Sequence, residues 1–260
     1  MPGFAQVLAE AEETASGRAF TVPDAWSQGR TAYGGFSTAL ALDEAMRSGS
    51  DLPPLRSAQI AMIAPLAGRI EASAQVLRRG RNAIWIEARL TSEKGVGLVA
   101  NFVFMQAVES RLVLDAIGVP EGLILPDDAV PFFSERSPSF LRENFEARHA
   151  LPDEGHVSAQ ECWWVRLVER EGLHPMTAML LCGDALPPSV ISMLGPTVPV
   201  SSMHWQVNVL DTEPQPHDGW WLLRSTGDFV RDGGLSESIS MWGQDMRPVS
   251  TGTQSIALFG

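Results

Sequence analysis

The chain has 260 residues, of which 45% are hydrophobic and 19% charged, a composition typical of a folded protein with one large or two small domains. Its 31 acidic and 19 basic residues give a net charge of -12, which disfavours binding to nucleic acid or to anionic membranes. The first residues do not resemble a secretion signal, and no stretch is long and apolar enough for a membrane span. Cys162 and Cys182 lack disulfide or metal spacing, so we expect a cytoplasmic protein in a reducing compartment.

The first half predicts one buried helix followed by an antiparallel meander. A covering helix is expected over 4–14 and a short strand over 18–22. The segment from Gly34 to Met46 opens with small residues and is apolar on most sides, as expected for a helix surrounded by other elements. Period-two patterns joined by short turns then predict antiparallel strands, at 55–63, 69–78, 82–91 and 96–106.

Residues 107–138 lose this periodicity and contain four prolines, which is typical of an inter-domain linker. The second half then repeats the order of the first. A short strand is expected at 161–167 and an apolar helix at about 175–194, and a second meander is predicted at 201–210, 220–230, 235–244 and 249–259. We therefore predict two related domains, 1–106 and 139–260, joined by the linker 107–138, rather than a solenoid of short repeats. The alternative is a helix and meander that occur twice without a common origin.

Several motifs narrow this plan to one family. Tyr33-Gly34-Gly35-Phe36 opens the first helix, an arginine-rich hairpin at 77–82 precedes an aromatic strand, and Asn101-Phe102-Val103-Phe104 closes the half. The second half carries three further matching segments, at 184–188, 202–207 and 253–254. Together these resemble the acyl-CoA thioesterase II family and its thioesterase-like relatives. The resemblance implies an α+β double hot-dog fold, two tandem repeats each with a long central helix wrapped by an antiparallel sheet, and hydrolysis of acyl-CoA to free acid and CoA.

The resemblance also implies that three side chains of the second half hold the attacking water: Asp184, Ser202 and Gln254. The family usually has threonine in place of Ser202 and often aspartate in place of His204, and Gln254 aligns only with a one-residue gap. The chemistry is consistent, because a thiolate leaves without an obligatory acid and one base is then sufficient. An apolar helix would raise the pKa of Asp184 and improve its basicity.

Two further groups complete the predicted site. Backbone N–H groups at the start of the first helix are expected to bind the thioester oxygen, at Gly34, Gly35 and Phe36. Binding of the CoA phosphates is expected at the densest cationic cluster, formed by Arg78, Arg79 and Arg81. Simpler interpretations stay open: a helix cap or ion pair for Asp184, a plain turn for the two glycines, a solvated hairpin for the arginines and a structural role for His204.

Other chemistries fit less well. Residues 35–39 fail the GxSxG pattern at its last position, and 95–100 spells GxGxxA between two strands instead of before a helix. The sequence contains no HExxH motif and no metal-spaced cysteines and histidines, so no metal or cofactor is expected. Hot-dog hydratases place a histidine five residues after the aspartate, where this chain has Ser189. A catalytically silent acyl-binding module remains a second alternative. The expected partners are the small molecule acyl-CoA and, through exposed sheet edges, further copies of the chain.

Overall fold

The computed structural model describes residues 2–135, 137–152, 157–194, 198–214 and 217–259. Its α-helices are α1 (Phe4–Ala9), α2 (Gly34–Ser48), α3 (Ser139–Asn144) and α4 (Pro175–Gly183). Its strands are β1 (Glu12–Glu13), β2 (Arg18–Thr21), β3 (Ser27–Gln28), β4 (Thr31–Ala32), β5 (Leu55–Met62), β6 (Arg69–Arg79), β7 (Ala83–Ser92), β8 (Gly95–Met105), β9 (Phe145–His149), β10 (Gln160–Leu167), β11 (Val200–Val209), β12 (Trp221–Arg231), β13 (Gly234–Gly243) and β14 (Pro248–Leu258).

One 12-stranded antiparallel sheet forms most of the molecule, in the order β1-β2-β6-β7-β8-β5-β11-β14-β13-β12-β10-β9. At its centre β5 pairs with β11, from Ser57 opposite Asn208 to Ala61 opposite His204, so backbone hydrogen bonds join the two halves. Outward from this pair the strands follow the same order on both sides. The predicted antiparallel strands are confirmed, and each of them lies within one residue of its predicted bounds, whereas the short strands β1, β3, β4 and β9 were not predicted.

The two longest helices lie side by side at the centre of the core, where α2 packs on α4, β6 and β7. Residues 39–42 of α2 are fully buried, in agreement with a helix that is apolar on most sides. The predicted extent of α4 was wrong, because the helix ends at Gly183 instead of near 194. Pro187 and Pro188 follow, and proline removes a backbone donor and clashes with the preceding turn. Similarly, α1 ends at Ala9, since Glu12 and Glu13 pair with β2.

The segment from 107 to 138 has no helix or ladder strand among its described residues, apart from an isolated bridge between Pro131 and Arg148. It lies along the second half, where Trp164 Nε1 donates to the carbonyl oxygen of Ile124 at 2.7 Å. The helix α3 follows and places the Phe140 ring 5.2 Å from that of Tyr33, at the start of α2. Among the described residues, no helix combines the length and the apolarity that crossing a membrane requires.

Candidate active site

A cavity of about 650 Å³ lies where the start of α2 faces the end of α4. The first turn of α2 contributes Gly34 and Ser37, and the residues after α4 contribute the segment from Asp184 to Pro188. Further apolar walls come from the turn after β5 and from α3, including Met62, Leu66, Phe140 and Leu141. The cavity is therefore built by both halves of the chain and combines polar groups with apolar surface, as small-molecule sites usually do.

Three polar side chains meet in this cavity. Gln254 Nε2 donates to Asp184 Oδ1 at 3.1 Å and to Ser202 Oγ at 2.9 Å. Both hydrogens of the amide group are used, which leaves Gln254 Oε1 as an acceptor and the Ser202 hydroxyl as a donor for a further group. The residues predicted from three distant segments of the sequence thus form one hydrogen-bonded cluster.

A β-bulge in β11 makes this cluster possible. The register of β11 against β14 shifts between Ser202 and His204, so Met203 and His204 are both exposed while Trp205 is buried. In a regular strand residues three apart point to opposite faces, but the inserted residue turns Ser202 to the same inward face as Trp205. The bulge also directs His204 to the outer face, away from the cluster.

The glycines at the start of α2 allow this helix to approach Asp184 closely. A Cβ atom on Gly34 would lie 2.6 Å from Asp184 Oδ2 and 2.9 Å from Met62 Cε, so a side chain at this position would displace the carboxylate. The Gly35 N–H donates to the same carboxylate. The first backbone bond of the helix runs from Ser37 N to Tyr33 O. The earlier N–H groups of the first turn, including that of Phe36, therefore lack a helical partner.

Burial raises the pKa of Asp184 to about 7, and the negative charge of Glu237 adds to the shift, whereas the hydrogen bonds from Gln254 and Gly35 oppose it. A carboxyl group that titrates near neutral pH is suited to act as a general base. Burial also raises the pKa of Tyr33, and the charge of Asp184 contributes to this shift. The Tyr33 hydroxyl donates to the Leu181 carbonyl oxygen at 2.8 Å, which ties the start of α2 to α4.

Glu237 is a buried carboxylate that the sequence analysis did not identify. It lies on β13 opposite Gln254, is 2% exposed, and accepts a hydrogen bond from Ser189 N at 2.8 Å. It therefore fixes the loop that follows Asp184. The signal was present, because Glu237 falls between Leu235 and Ile239 on the inward face of the predicted strand, where a charged residue is uncommon.

The structure does not bring the predicted arginine cluster to the cavity. Arg79 Nη2 donates to Ser50 O at 3.0 Å, just beyond the far end of α2, and Gly34 stands at the other end of this 15-residue helix, about 22 Å away. Arg78 and Arg81 are exposed on the same hairpin.

Two other cations are chain neighbours of residues that line the cavity. Arg30 lies between the lining residues Gly29 and Thr31, and Arg142 follows the lining residue Leu141. Both are exposed, and neither forms an ion pair with any residue that the structure describes. In those same residues, no group of three or more His, Cys, Asp or Glu side chains could hold a metal ion.

The opposite ends of α2 and α4 form a counterpart of this site with different contents. Asp43 follows the N-cap residue Tyr33 by ten positions, as Asp184 follows the N-cap residue His174. Asp43, however, is paired with Arg18, whose Nε atom also lies 2.9 Å from Glu44. The donor that would correspond to Gly35 is already occupied, because Met176 N–H is bonded to His174 Nδ1 at 3.2 Å.

The other two positions of the counterpart are apolar. β5 and β11 pair symmetrically about Gln59 and Gln206. Leu55 and Ser202 each lie four residues before these glutamines, so Leu55 occupies the position that corresponds to Ser202. Phe102 pairs with Ala58 as Gln254 pairs with Trp205. The counterpart therefore has a carboxylate with a cationic partner, and its two described positions that correspond to Ser202 and Gln254 carry no hydroxyl or amide group to hold water.

Comparison with known proteins gives a consistent picture. The model of an acyl-CoA thioesterase N-terminal domain matches residues 22–105, and that of an acyl-CoA thioesterase C-terminal domain matches residues 120–258. A search of curated proteins found no match.

Among solved structures, the chain is similar to a hot-dog protein of unknown function from Alicyclobacillus acidocaldarius, with a TM-score of 0.87, 17% identity and coverage of 100% of this chain and 99% of that one. It is also similar to an acyl-CoA thioesterase II from Mycobacterium marinum, with a TM-score of 0.75, 15% identity and 98% coverage of both chains. At these identities the structural likeness concerns the hot-dog fold.

Proposed function

This chain belongs to the acyl-CoA thioesterase family and is a thioester hydrolase, and we propose that it hydrolyses acyl-CoA with a water held by Asp184, Ser202 and Gln254. The observation that carries this proposal is the hydrogen-bonded contact of these three side chains in a cavity that also exposes the start of α2. A titrating carboxylate and the backbone donors at the start of α2 thus lie side by side on the wall of a cavity that a thioester could enter.

In the proposed reaction, the Asp184 carboxylate takes a proton from the water while the water oxygen attacks the thioester carbonyl carbon. Ser202 and Gln254 orient the water, which gains rate through positioning. Negative charge develops on the carbonyl oxygen. The N–H groups at the start of α2 that lack a helical partner, such as that of Phe36, stabilise it together with the helix dipole, whereas the Gly35 N–H is already bonded to Asp184. The C–S bond then breaks, the CoA thiolate leaves, and the proton on Asp184 returns to the thiolate or to solvent.

Three finer features belong to the same proposal. The symmetric strand order about β5 and β11 supports a double hot-dog arrangement with domains 1–106 and 139–260, although the C-terminal family model begins at 120, inside the expected linker. Binding of CoA phosphates by Arg78, Arg79 and Arg81 stays a prediction. Association into homo-oligomers also stays a prediction.

A direct test is the release of free thiol from a series of acyl-CoA thioesters of different chain length. We expect turnover with at least one member of the series and its loss in Asp184→Asn. A wild-type protein that binds these thioesters without releasing thiol would contradict the proposal and favour a silent acyl-binding module. Hydration of an enoyl-CoA without thiol release would favour the hydratase alternative.

A further inference from the structure

Trp205 lies next to the site, where it packs against the end of α4. It is 3% exposed and lies on the inward face of β11 between Ile60 of β5 and Gln254 of β14. A Cβ atom on Gly183 would lie 3.2 Å from both Cη2 and Cζ2 of Trp205. The six-membered part of the indole ring therefore packs directly against the residue before Asp184, and a larger residue there would have to displace the ring slightly.

This contact separates two spaces of very different size. Asp184 and Gln254 line the cavity of about 650 Å³. Their immediate neighbours, Gly183 in the chain and Trp205 in the sheet, instead line a void of about 10 Å³. The other walls of this void are mostly apolar and buried and include Met179, Val207, Ile239 and Met241. A void of this size holds no more than about one water-sized sphere, so it offers no space for a hydrocarbon chain.

The fold does not require tryptophan at this position. Trp205 and Ala58 occupy corresponding positions about the central pair of Gln59 and Gln206, and Ala58 is fully buried without a large side chain. The volume of Trp205 therefore fills a space that a smaller residue would leave open to the interior of the second half, directly beside the catalytic cluster.

We propose that Trp205 is a specificity-determining residue that closes the apolar interior behind Asp184 and restricts the enzyme to short acyl chains. The inference rests on the proposed function, because it assumes that the thioester carbonyl lies beside Asp184. From that point an acyl chain gains most by burial in apolar surroundings, and the interior of the second half directly behind Asp184 is apolar. With this space closed, the acyl chain shares the larger cavity with the pantetheine arm of CoA, so a long chain has less apolar surface to itself than its length would need.

The experiment measures kcat/KM for butanoyl-, octanoyl- and dodecanoyl-CoA by detection of free thiol. For the wild type we expect a fall of about tenfold or more from butanoyl to dodecanoyl-CoA. In Trp205→Leu the ratio of dodecanoyl to butanoyl activity should rise by about tenfold, and in Trp205→Phe by a smaller factor. Because the ratio is taken within each variant, a general loss of active protein cancels. Trp164→Phe is the matched control, since Trp164 is buried in a separate cluster, and its ratio should equal that of the wild type.

Several results would contradict the proposed role of Trp205. One of them needs only the wild type: equal hydrolysis of dodecanoyl-CoA and butanoyl-CoA would contradict it. This result remains available if Trp205→Leu does not fold. The proposed role would also be contradicted if the ratio of dodecanoyl to butanoyl activity stayed unchanged in both Trp205 variants. An equal rise of this ratio in the control Trp164→Phe would contradict it too. If no thioester released thiol, the proposed function would fail instead. Calorimetric titration with the same three thioesters would still test the role of Trp205 through binding affinity. The wild type should bind dodecanoyl-CoA no more tightly than butanoyl-CoA, whereas Trp205→Phe should bind dodecanoyl-CoA more tightly than butanoyl-CoA. The opposite order of affinities would overturn that role.

Discussion

Replacing Asp184 by asparagine tests the proposed base through the pH dependence of turnover. With a pKa of about 7, the carboxylate is ionised in about one-tenth of molecules near pH 6 and in about nine-tenths near pH 8. The wild-type kcat should therefore rise about tenfold across this range, since only the ionised form accepts a proton from water. In Asp184→Asn we expect kcat to fall by about 10²- to 10⁴-fold, and the remaining activity should no longer rise through pH 7.

The same variant separates catalysis from folding. A carboxyl group whose pKa is raised on folding binds more protons in the folded state, so its contribution to the free energy of unfolding decreases as pH rises towards 7. Asp184→Asn removes the destabilisation that the buried, ionised carboxylate causes above pH 7. The melting temperature of this variant above pH 8 should therefore equal or exceed that of the wild type. His204→Asn is the control, because His204 lies two residues after Ser202 on the same strand but is exposed on the outer face of β11. Retention of wild-type kcat by Asp184→Asn, or loss of the pH dependence in His204→Asn, would refute the base assignment.

Substitutions at Ser202, Gly34 and Arg30, each with a comparison variant, probe the rest of the site. Ser202→Ala should lower kcat by about tenfold or more, because the water loses one positioning contact, and Ser202→Thr should restore it; equal rates in both would show that the hydroxyl has no role. Gly34→Ala should lower kcat/KM by about 10²-fold, since the new Cβ atom would lie 2.6 Å from Asp184 Oδ2. Gly118→Ala, where nothing lies within 4 Å, should match the wild type in the same assay. Arg30→Gln should raise KM for acyl-CoA but not for the acyl thioester of N-acetylcysteamine, which lacks phosphates. If Arg79→Gln instead raises KM for acyl-CoA alone, the predicted binding of CoA phosphates by the arginine hairpin is supported.

The sheet could be predicted from the sequence because its strands follow simple alternation between sharp turns. Strand β7 shows this most clearly, since Ile84, Ile86 and Leu90 are buried and alternate with more exposed residues. The buried helix α2 was equally readable, because it is apolar on most sides and begins at two glycines. Local patterns determine these elements, so no knowledge of distant contacts was needed.

The geometry of the site could not be obtained in this way. The period-two pattern places Ser202 and Trp205 on opposite faces, and only the bulge near Met203 brings both inward. The resemblance to the thioesterases supplied Ser202, whereas no local pattern in the strand predicts the bulge. The end of α4 was misplaced because an apolar run continues past Gly183, although two prolines stand nearby. The arginine hairpin was predicted from charge density alone, which carries no information on its distance from the cavity.

The ion cluster of Arg18 with Asp43 and Glu44 makes it difficult for the counterpart at Asp43 to become a second active site like that at Asp184. Its side chains are only 6%, 19% and 8% exposed, so removal of Arg18 alone would leave two acids without a buried partner at a cost of about 3–5 kcal/mol. A working second centre would also require polar groups in place of Leu55 and Phe102. Several simultaneous substitutions would thus be needed before the counterpart at Asp43 could gain activity. The ion cluster therefore favours the retention of a single active site per chain.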